Sequence, residues 1–173
     1  GNISIINQAF QRCYLKKDNA RSSFLSLIND PNGDYSRYKF FYANFLIENK
    51  KIEEVKEIFD EVEFIDSTLL LSQGKIWIEN NEYKKFTKIF SCRNHNDIVS
   101  EFLFLIASLY SSENDLNKSN FYSNLSYYLN PKFKFNLALI VENYYENKEY
   151  KKVKKIIQNF NDDDQFYYWF RTK

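Results

Sequence analysis

Residues 79–86 read ENNEYKKF, and residues 146–153 read ENKEYKKV. A polar, lysine-rich octet with a tyrosine at its centre can be a ligand contact or a structural bend, and its surroundings decide between the two. Extended outward, the octet belongs to a frame ΦxxxxxΦxxΦxxxΦ in which each Φ is apolar or aromatic. Trp77, Tyr83, Phe86 and Phe90 fill it around the first copy; Tyr144, Tyr150, Val153 and Ile157 fill it around the second. The frame also fits Leu46, Ile52, Val55 and Phe59 and, with serines at its last two places, Tyr110, Leu116, Ser119 and Ser123. The anchors Leu46, Trp77, Tyr110 and Tyr144 lie 31, 33 and 34 residues apart, and a fixed period of this size marks a repeat architecture.

Each unit reads as two amphipathic helices joined by a short polar turn. Leu70, Gly74 and Trp77 recur at helical spacing on a first helix, residues 79–82 turn, and Tyr83, Phe86 and Phe90 form a stripe on a second. Asparagine suits the turn because it tolerates the left-handed conformation that ends many helices. Tyr83 and Tyr150 are therefore expected in the interior, with Lys84, Lys85, Lys151 and Lys152 in solvent. A small residue stands three before the anchor in most units, at Ala43, Gly74 and Ala107, with the bulkier Val141 in the last. That position should face the second helix of its pair.

A helix-turn-helix unit of this length, with a small residue and then an aromatic anchor in the first helix, resembles the tetratricopeptide repeat. The resemblance covers about residues 34–173. Pro131 opens the next helix after SYYLN, as is common in that family, and Ser119 and Ser126 stand where the family prefers Ala. Phe86 and Val55 depart from the pattern, filling a place that is usually Ala. DQFYYWF at 164–170 looks like the start of another first helix, with Trp169 matching the family's opening Trp. Residues 1–33, through Tyr14, Ala20, Ser23 and Leu27, read as a degenerate N-terminal helical repeat. The fold implied is all-α, a right-handed superhelical solenoid of about five helix-turn-helix repeats. RYKFFYANFLIENKKIEEVKEIF at 37–59 also resembles the half-a-TPR repeat of RNA-processing scaffolds, without its Trp.

Bulk composition agrees with helices. Aromatics make up 19% of 173 residues, too many for a disordered chain, and three glycines and two prolines supply few of the turns a β-sandwich needs. Lys plus Arg number 24 against 23 Asp plus Glu, and a net charge of +1 gives no field for polyanions. Cys13 and Cys92 lie far apart, with no CxxC and a single histidine, His95. They read as two packed or surface thiols, with neither a disulfide framework nor a metal site indicated. FLFLIASLY at 102–110 is about half of the ~20 residues a membrane span needs. The bias toward Asn, Lys, Ile, Phe and Tyr looks like that of an AT-rich, bacterial genome, which leaves cytoplasm and periplasm both open. A chain that starts at Gly1 and lacks Met reads as a piece of a longer protein.

In the family resembled, first helices line a concave face on which partner segments lie. Projected here, that face carries Phe40 and Asn44, Leu71 and Lys75, Phe104 and Ser108, and Glu142 and Tyr145. Large apolar groups alternating with single polar ones suit a peptide or partner protein held by apolar anchors. Asn44 matches one place of the family's carboxylate-binding clamp, but Phe40 and Phe104 stand where Lys or Arg is required, so no such clamp is expected. The function implied is a non-catalytic protein-binding scaffold without cofactor. An RNA-associated helical scaffold and a homo-oligomerising module are the alternatives.

The remaining chemistry-bearing stretches have structural readings. Lys151, Lys152, Lys154 and Lys155 surround a helix whose other positions are apolar, the pattern of a solvated face. NDDDQ at 161–165 lacks the glycine and distal glutamate of an EF-hand loop and reads as a helix N-cap. Cys92, His95 and Asp97 in CRNHND have no glycine-rich loop or nucleophile elbow beside them. Enlarging the small residue of the second full unit tests the register: Gly74→Leu is expected to cost about 1–3 kcal/mol by overpacking, measured by chemical denaturation, and an unchanged stability would count against it.

Overall fold

The computed structural model describes residues 2–31, 33–63 and 68–160, and these are helical with no strand among them. The helices are α1 (Asn2–Tyr14), α2 (Ala20–Ile28), α3 (Ser36–Glu48), α4 (Ile52–Asp60), α5 (Leu69–Glu79) and α6 (Lys84–Ile89). There follow α7 (His95–Ser112), α8 (Leu116–Leu129), a 3-10 turn (Lys134–Asn136), α9 (Leu137–Glu146) and α10 (Tyr150–Ile157). Two compact units are formed, Gly1–Ile98 and Val99–Lys173, the division falling within α7. Among the described residues no helix is long and apolar enough to cross a membrane. The tail around Trp169 and the NDDDQ stretch lie outside the described residues.

The helices come in hairpins, and every hairpin turns in the same way. Lys16, Lys50, Asn81, Asn114 and Lys148 take left-handed backbone, with φ of 51°, 61°, 58°, 60° and 59°. The amide of each donates to the carbonyl three residues earlier, at Cys13, Ile47, Ile78, Ser111 and Tyr145. The amide after it reaches five residues back: Lys17 to Arg12, Lys51 to Leu46, Glu82 to Trp77, Asp115 to Tyr110 and Glu149 to Tyr144, at 2.7–2.9 Å. This paired closure is the Schellman motif, which satisfies carbonyls that a helix end leaves open. Four of its acceptors are the sequence anchors Leu46, Trp77, Tyr110 and Tyr144.

The first hairpin corrects the sequence frame. Its closing acceptor is Arg12, not Tyr14, because the stretch from Lys16 to the start of α2 at Ala20 is two residues longer than that from Lys50 to the start of α4 at Ile52. Tyr14 is accordingly exposed. Counting three back from Arg12 gives Ala9, so the small position holds Ala9, Ala43, Gly74, Ala107 and Val141, all buried. At Gly74 the reason is visible: an added Cβ would lie 2.7 Å from Phe59 Cε1 and 3.3 Å from Phe86 Cζ. The small residue thus meets the second helix of its own hairpin, α6, and that of the preceding one, α4.

The first unit has an aromatic core. Phe86 is stacked on Phe40 at 4.7 Å and met edge-on by Trp77 at 5.4 Å and Phe59 at 5.9 Å, while Phe90 lies 4.5 Å from Phe41 and 5.7 Å from Phe10. Each buried phenylalanine contributes about 1.5–3 kcal/mol, and such ring pairs about 0.5–1.5 more. The Phe10–Phe90 contact brings the end of α1 beside the segment after α6, and there Cys13 and Cys92 form a disulfide, Cα atoms 5.9 Å apart. This overturns the expectation of two separate thiols. A bridge closing a loop of this length removes on the order of 4 kcal/mol of unfolded-state entropy.

The second unit substitutes hydrogen bonds for rings. Ser100 on α7 and Ser126 on α8 exchange hydroxyl-to-carbonyl bonds of 2.8 Å, and Asn136 Nδ2 donates to Ser126 Oγ at 2.8 Å. Asn143 on α9 donates to Ser119 Oγ at 2.8 Å and Asn120 Oδ1 at 3.0 Å, and its own Oδ1 accepts from Ser111 at 2.9 Å. All but Ser111 are buried, and paired polar groups avoid the cost of desolvation without a partner. The serines standing where alanine was the norm are therefore a bonded inner face of α8.

Charged side chains pair at the first turn of the second helices. Glu82 pairs with Lys85 at 2.8 Å, Asp115 with Lys118 at 2.7 Å, and Glu149 with Lys152. The Lys118 ammonium lies 5.0 Å above the Tyr110 ring and that of Lys152 4.8 Å above Tyr144. Asp115 is held below the ordinary carboxylate range by the Lys118 side chain and then by the Lys118 amide, which it caps. Tyr150 is 55% exposed and Tyr83 half-buried, correcting their expected interior placement: both stand at the first turn of a second helix, where the hairpin is open. Non-glycine residues in left-handed backbone carry strain of about 1–2 kcal/mol. Lys148→Gly is expected to relieve part of it and raise unfolding stability by roughly 1 kcal/mol net of glycine's added chain entropy; urea denaturation checks this, and a loss of stability would contradict it.

Candidate functional site

The eight residues projected onto a partner-binding face fall four in each unit, and the structure treats the two sets differently. In the first unit Phe40, Asn44 and Leu71 are buried at 0%, 0% and 3% exposure. Phe40 is covered by Phe86, Phe41 and Trp77. Asn44 Nδ2 donates to the carbonyl of Phe90 at 2.8 Å, closing the end of α6. Lys75 is half-buried, and its ammonium donates to the Val62 carbonyl at 2.6 Å, just beyond α4. Phe40, Asn44 and Lys75 join one hairpin to the next, and the three buried residues offer a partner no surface. The projected open face is thereby corrected for this unit.

In the second unit the set remains accessible. Phe104 and Ser108 are half-buried on one face of α7, one helical turn apart, with the Ser108 hydroxyl donating to the Phe104 carbonyl at 2.9 Å. Ser111 continues that face and bonds Asn143 of α9. Beside Asn143 stands Glu142, exposed, and Tyr145 is 50% exposed with its ring edge-on to Tyr150 at 5.5 Å. Residues 102–106 of α7 are half-buried and Leu109 is 50% exposed, so α7 presents apolar surface over several turns. The arrangement can hold an apolar side chain and offer hydrogen bonds.

The CRNHND stretch is organised for structure. Cys92 is bonded to Cys13, and the Asp97 carboxylate accepts from the Ser91 amide at 2.8 Å near the start of α7. His95 is exposed at the first residue of that helix. Among the described residues no group of three or more His, Cys, Asp or Glu is placed to hold a metal ion.

Sequence reasoning missed the polar interior of α8 and a cavity between α8, α9 and α10. Buried serines and asparagines carry no hydrophobic period, and the cavity draws Lys134 from a 3-10 turn that the helical frame did not contain.

Replacing Asn44 by Leu keeps its branched shape, adds bulk at a buried place and removes the hydrogen bond from Asn44 Nδ2 to the Phe90 carbonyl. Asn44→Leu is expected to lower unfolding stability by about 1–3 kcal/mol, read from the denaturation midpoint, whereas a contact-face residue would leave the midpoint in place. No match to this chain was found among protein-family models, curated proteins or solved structures.

Proposed function

We propose that this chain is a protein-interaction module built from tetratricopeptide-like hairpins in a right-handed stack, and that it holds a partner segment without acting on it chemically. The observation that carries the reading is the recurrence of one hairpin: the same left-handed closure, with a buried residue seven positions before it that is small at Ala9, Ala43, Gly74 and Ala107 and bulkier at Val141. Repeated hairpins cannot bury their hydrophobic faces alone and in combination present extended surface, which is why such arrays serve as scaffolds. Burial of Phe40, Asn44 and Leu71 narrows the partner-binding face to α7 and α9, where Phe104, Ser108, Glu142 and Tyr145 stand.

Affinity capture from the source cell with wild-type protein and with Tyr145→Glu tests this. Tyr145 is half exposed and gives up its edge contact with Tyr150, so the variant should lose no more than about 1.5 kcal/mol and remain folded. At least one protein held by wild type should be lost from the variant; identical captured sets would overturn the placement on α7 and α9.

A further inference from the structure

The bridge between Cys13 and Cys92 takes up the only two cysteines of the 173 residues. It joins the last turn of α1 to the segment just after α6. Within the first unit it therefore runs from the first hairpin to the end of the third, skipping the hairpin of α3 and α4. In a stack of repeated hairpins each one packs on its neighbours only, so a covalent bond from first to third is a tie that stacking alone does not supply.

Each cysteine is carried to this place by contacts made through other residues. On the α1 side Phe10 packs on Phe24, Phe41 and Phe90, with ring centroids 5.8, 5.4 and 5.7 Å away. On the other side the Phe90 carbonyl accepts from Asn44, the Ser91 amide donates to Asp97, and Arg93 meets Glu48 at 3.6 Å and Asn49 at 3.2 Å. The residues flanking Cys92 are thus held to α3 and to the start of α7. The two Cα atoms come to 5.9 Å, an ordinary span for a disulfide. In the folded chain Cys13 and Cys92 are 2% and 1% exposed.

We propose that this bridge is a permanent clasp, made while the chain folds in an oxidising compartment and closed to exchange once the first unit has packed. Making it joins Cys13 Sγ to Cys92 Sγ; two electrons and the two thiol protons pass to the disulfide of an exchange oxidant, which leaves as a dithiol. A redox-responsive pair needs a sulfur that a thiol in solution can reach, and burial denies that approach on both sides. Structural disulfides persist in oxidising compartments and are rare in the reducing cytosol, so of the two compartments that composition left open the cytoplasm is removed. Once made, the clasp ties α1 and α2 to the far end of their unit.

Three measurements test the clasp. Chain taken from the source cell into acid, then alkylated in denaturant, is expected to show no alkylated cysteine by mass spectrometry; alkylation at both Cys13 and Cys92 would overturn the proposal. Purified oxidised chain treated with glutathione should be reduced at least tenfold faster in urea than without it, and equal rates would overturn closure to exchange. By hydrogen exchange, the amides of α1 and α2 should open at least tenfold faster in the double variant Cys13→Ser, Cys92→Ser than in wild type; unchanged protection there would overturn the tie. The first two measurements use the wild-type chain and stand whether or not the double variant folds.

Discussion

The left-handed residue that ends each first helix is the constraint on which the described structure depends. Its two backbone bonds close the helix and reverse the chain within a few residues, so that a second helix begins beside the first. Because those bonds are made by main chain, the side chains at the bend are free to vary, and lysine serves at three of the five positions and asparagine at two. The acceptor's own side chain points toward the second helix, where it does different work in different hairpins. Arg12 donates to Ser23 Oγ at 2.5 Å, Trp77 packs edge-on to Phe86, and Tyr110 stacks on Tyr122 at 5.5 Å. One backbone geometry thus supports polar, aromatic and stacked contacts at corresponding places.

The same hairpin tolerates two kinds of interior. In the first unit the small residue lets α5 approach α4 and α6 until phenylalanine rings fill the space, and the buried area supplies the stabilisation. In the second, serine and asparagine replace rings, and close approach is held by reciprocal hydrogen bonds such as Ser100 with Ser126. Such a network is worth less per residue than buried rings, about 0.5–1.5 kcal/mol for each bond, but it is directional, since misplacing one helix would strand several buried polar groups together. It also releases the apolar side chains of α8 to the outside, where Phe121, Leu125 and Tyr128 now stand.

The helix pairs were legible in the sequence because pairing is local: anchor, bend and stripe lie within one unit, and the 31-to-34-residue period repeats them. The first hairpin was misread by two residues because the longer stretch before Ala20 kept Ala20, Ser23 and Leu27 in register while displacing the anchor from Tyr14 to Arg12. Which face of a first helix stays open is a longer-range matter. Phe40, like Phe104, lies in a largely apolar stretch of a first helix, yet it is enclosed because Trp77 and Phe86 arrive from the next hairpin. The disulfide escaped for the same reason, since only the packing of Phe10 on Phe90 brings Cys13 to Cys92. A periodic pattern reports what a helix packs against within its unit and is silent about residues 37 or 79 positions away.

The letters that recur in ENNEYKKF and ENKEYKKV follow from the geometry of the bend. The acid after the left-handed residue and the lysine three positions later, Glu82 with Lys85 and Glu149 with Lys152, bracket the first turn of the second helix. A carboxylate there also meets the positive end of the helix dipole. At the corresponding place in the second hairpin the signs are reversed, Lys51 preceding Glu54 at 4.0 Å, and the main-chain closure is unaltered. Exposed pairs of this kind contribute about 0–1 kcal/mol, too little to set the turn. Charge therefore decorates a bend that the backbone has already made, and either sign order is compatible with the same hairpin.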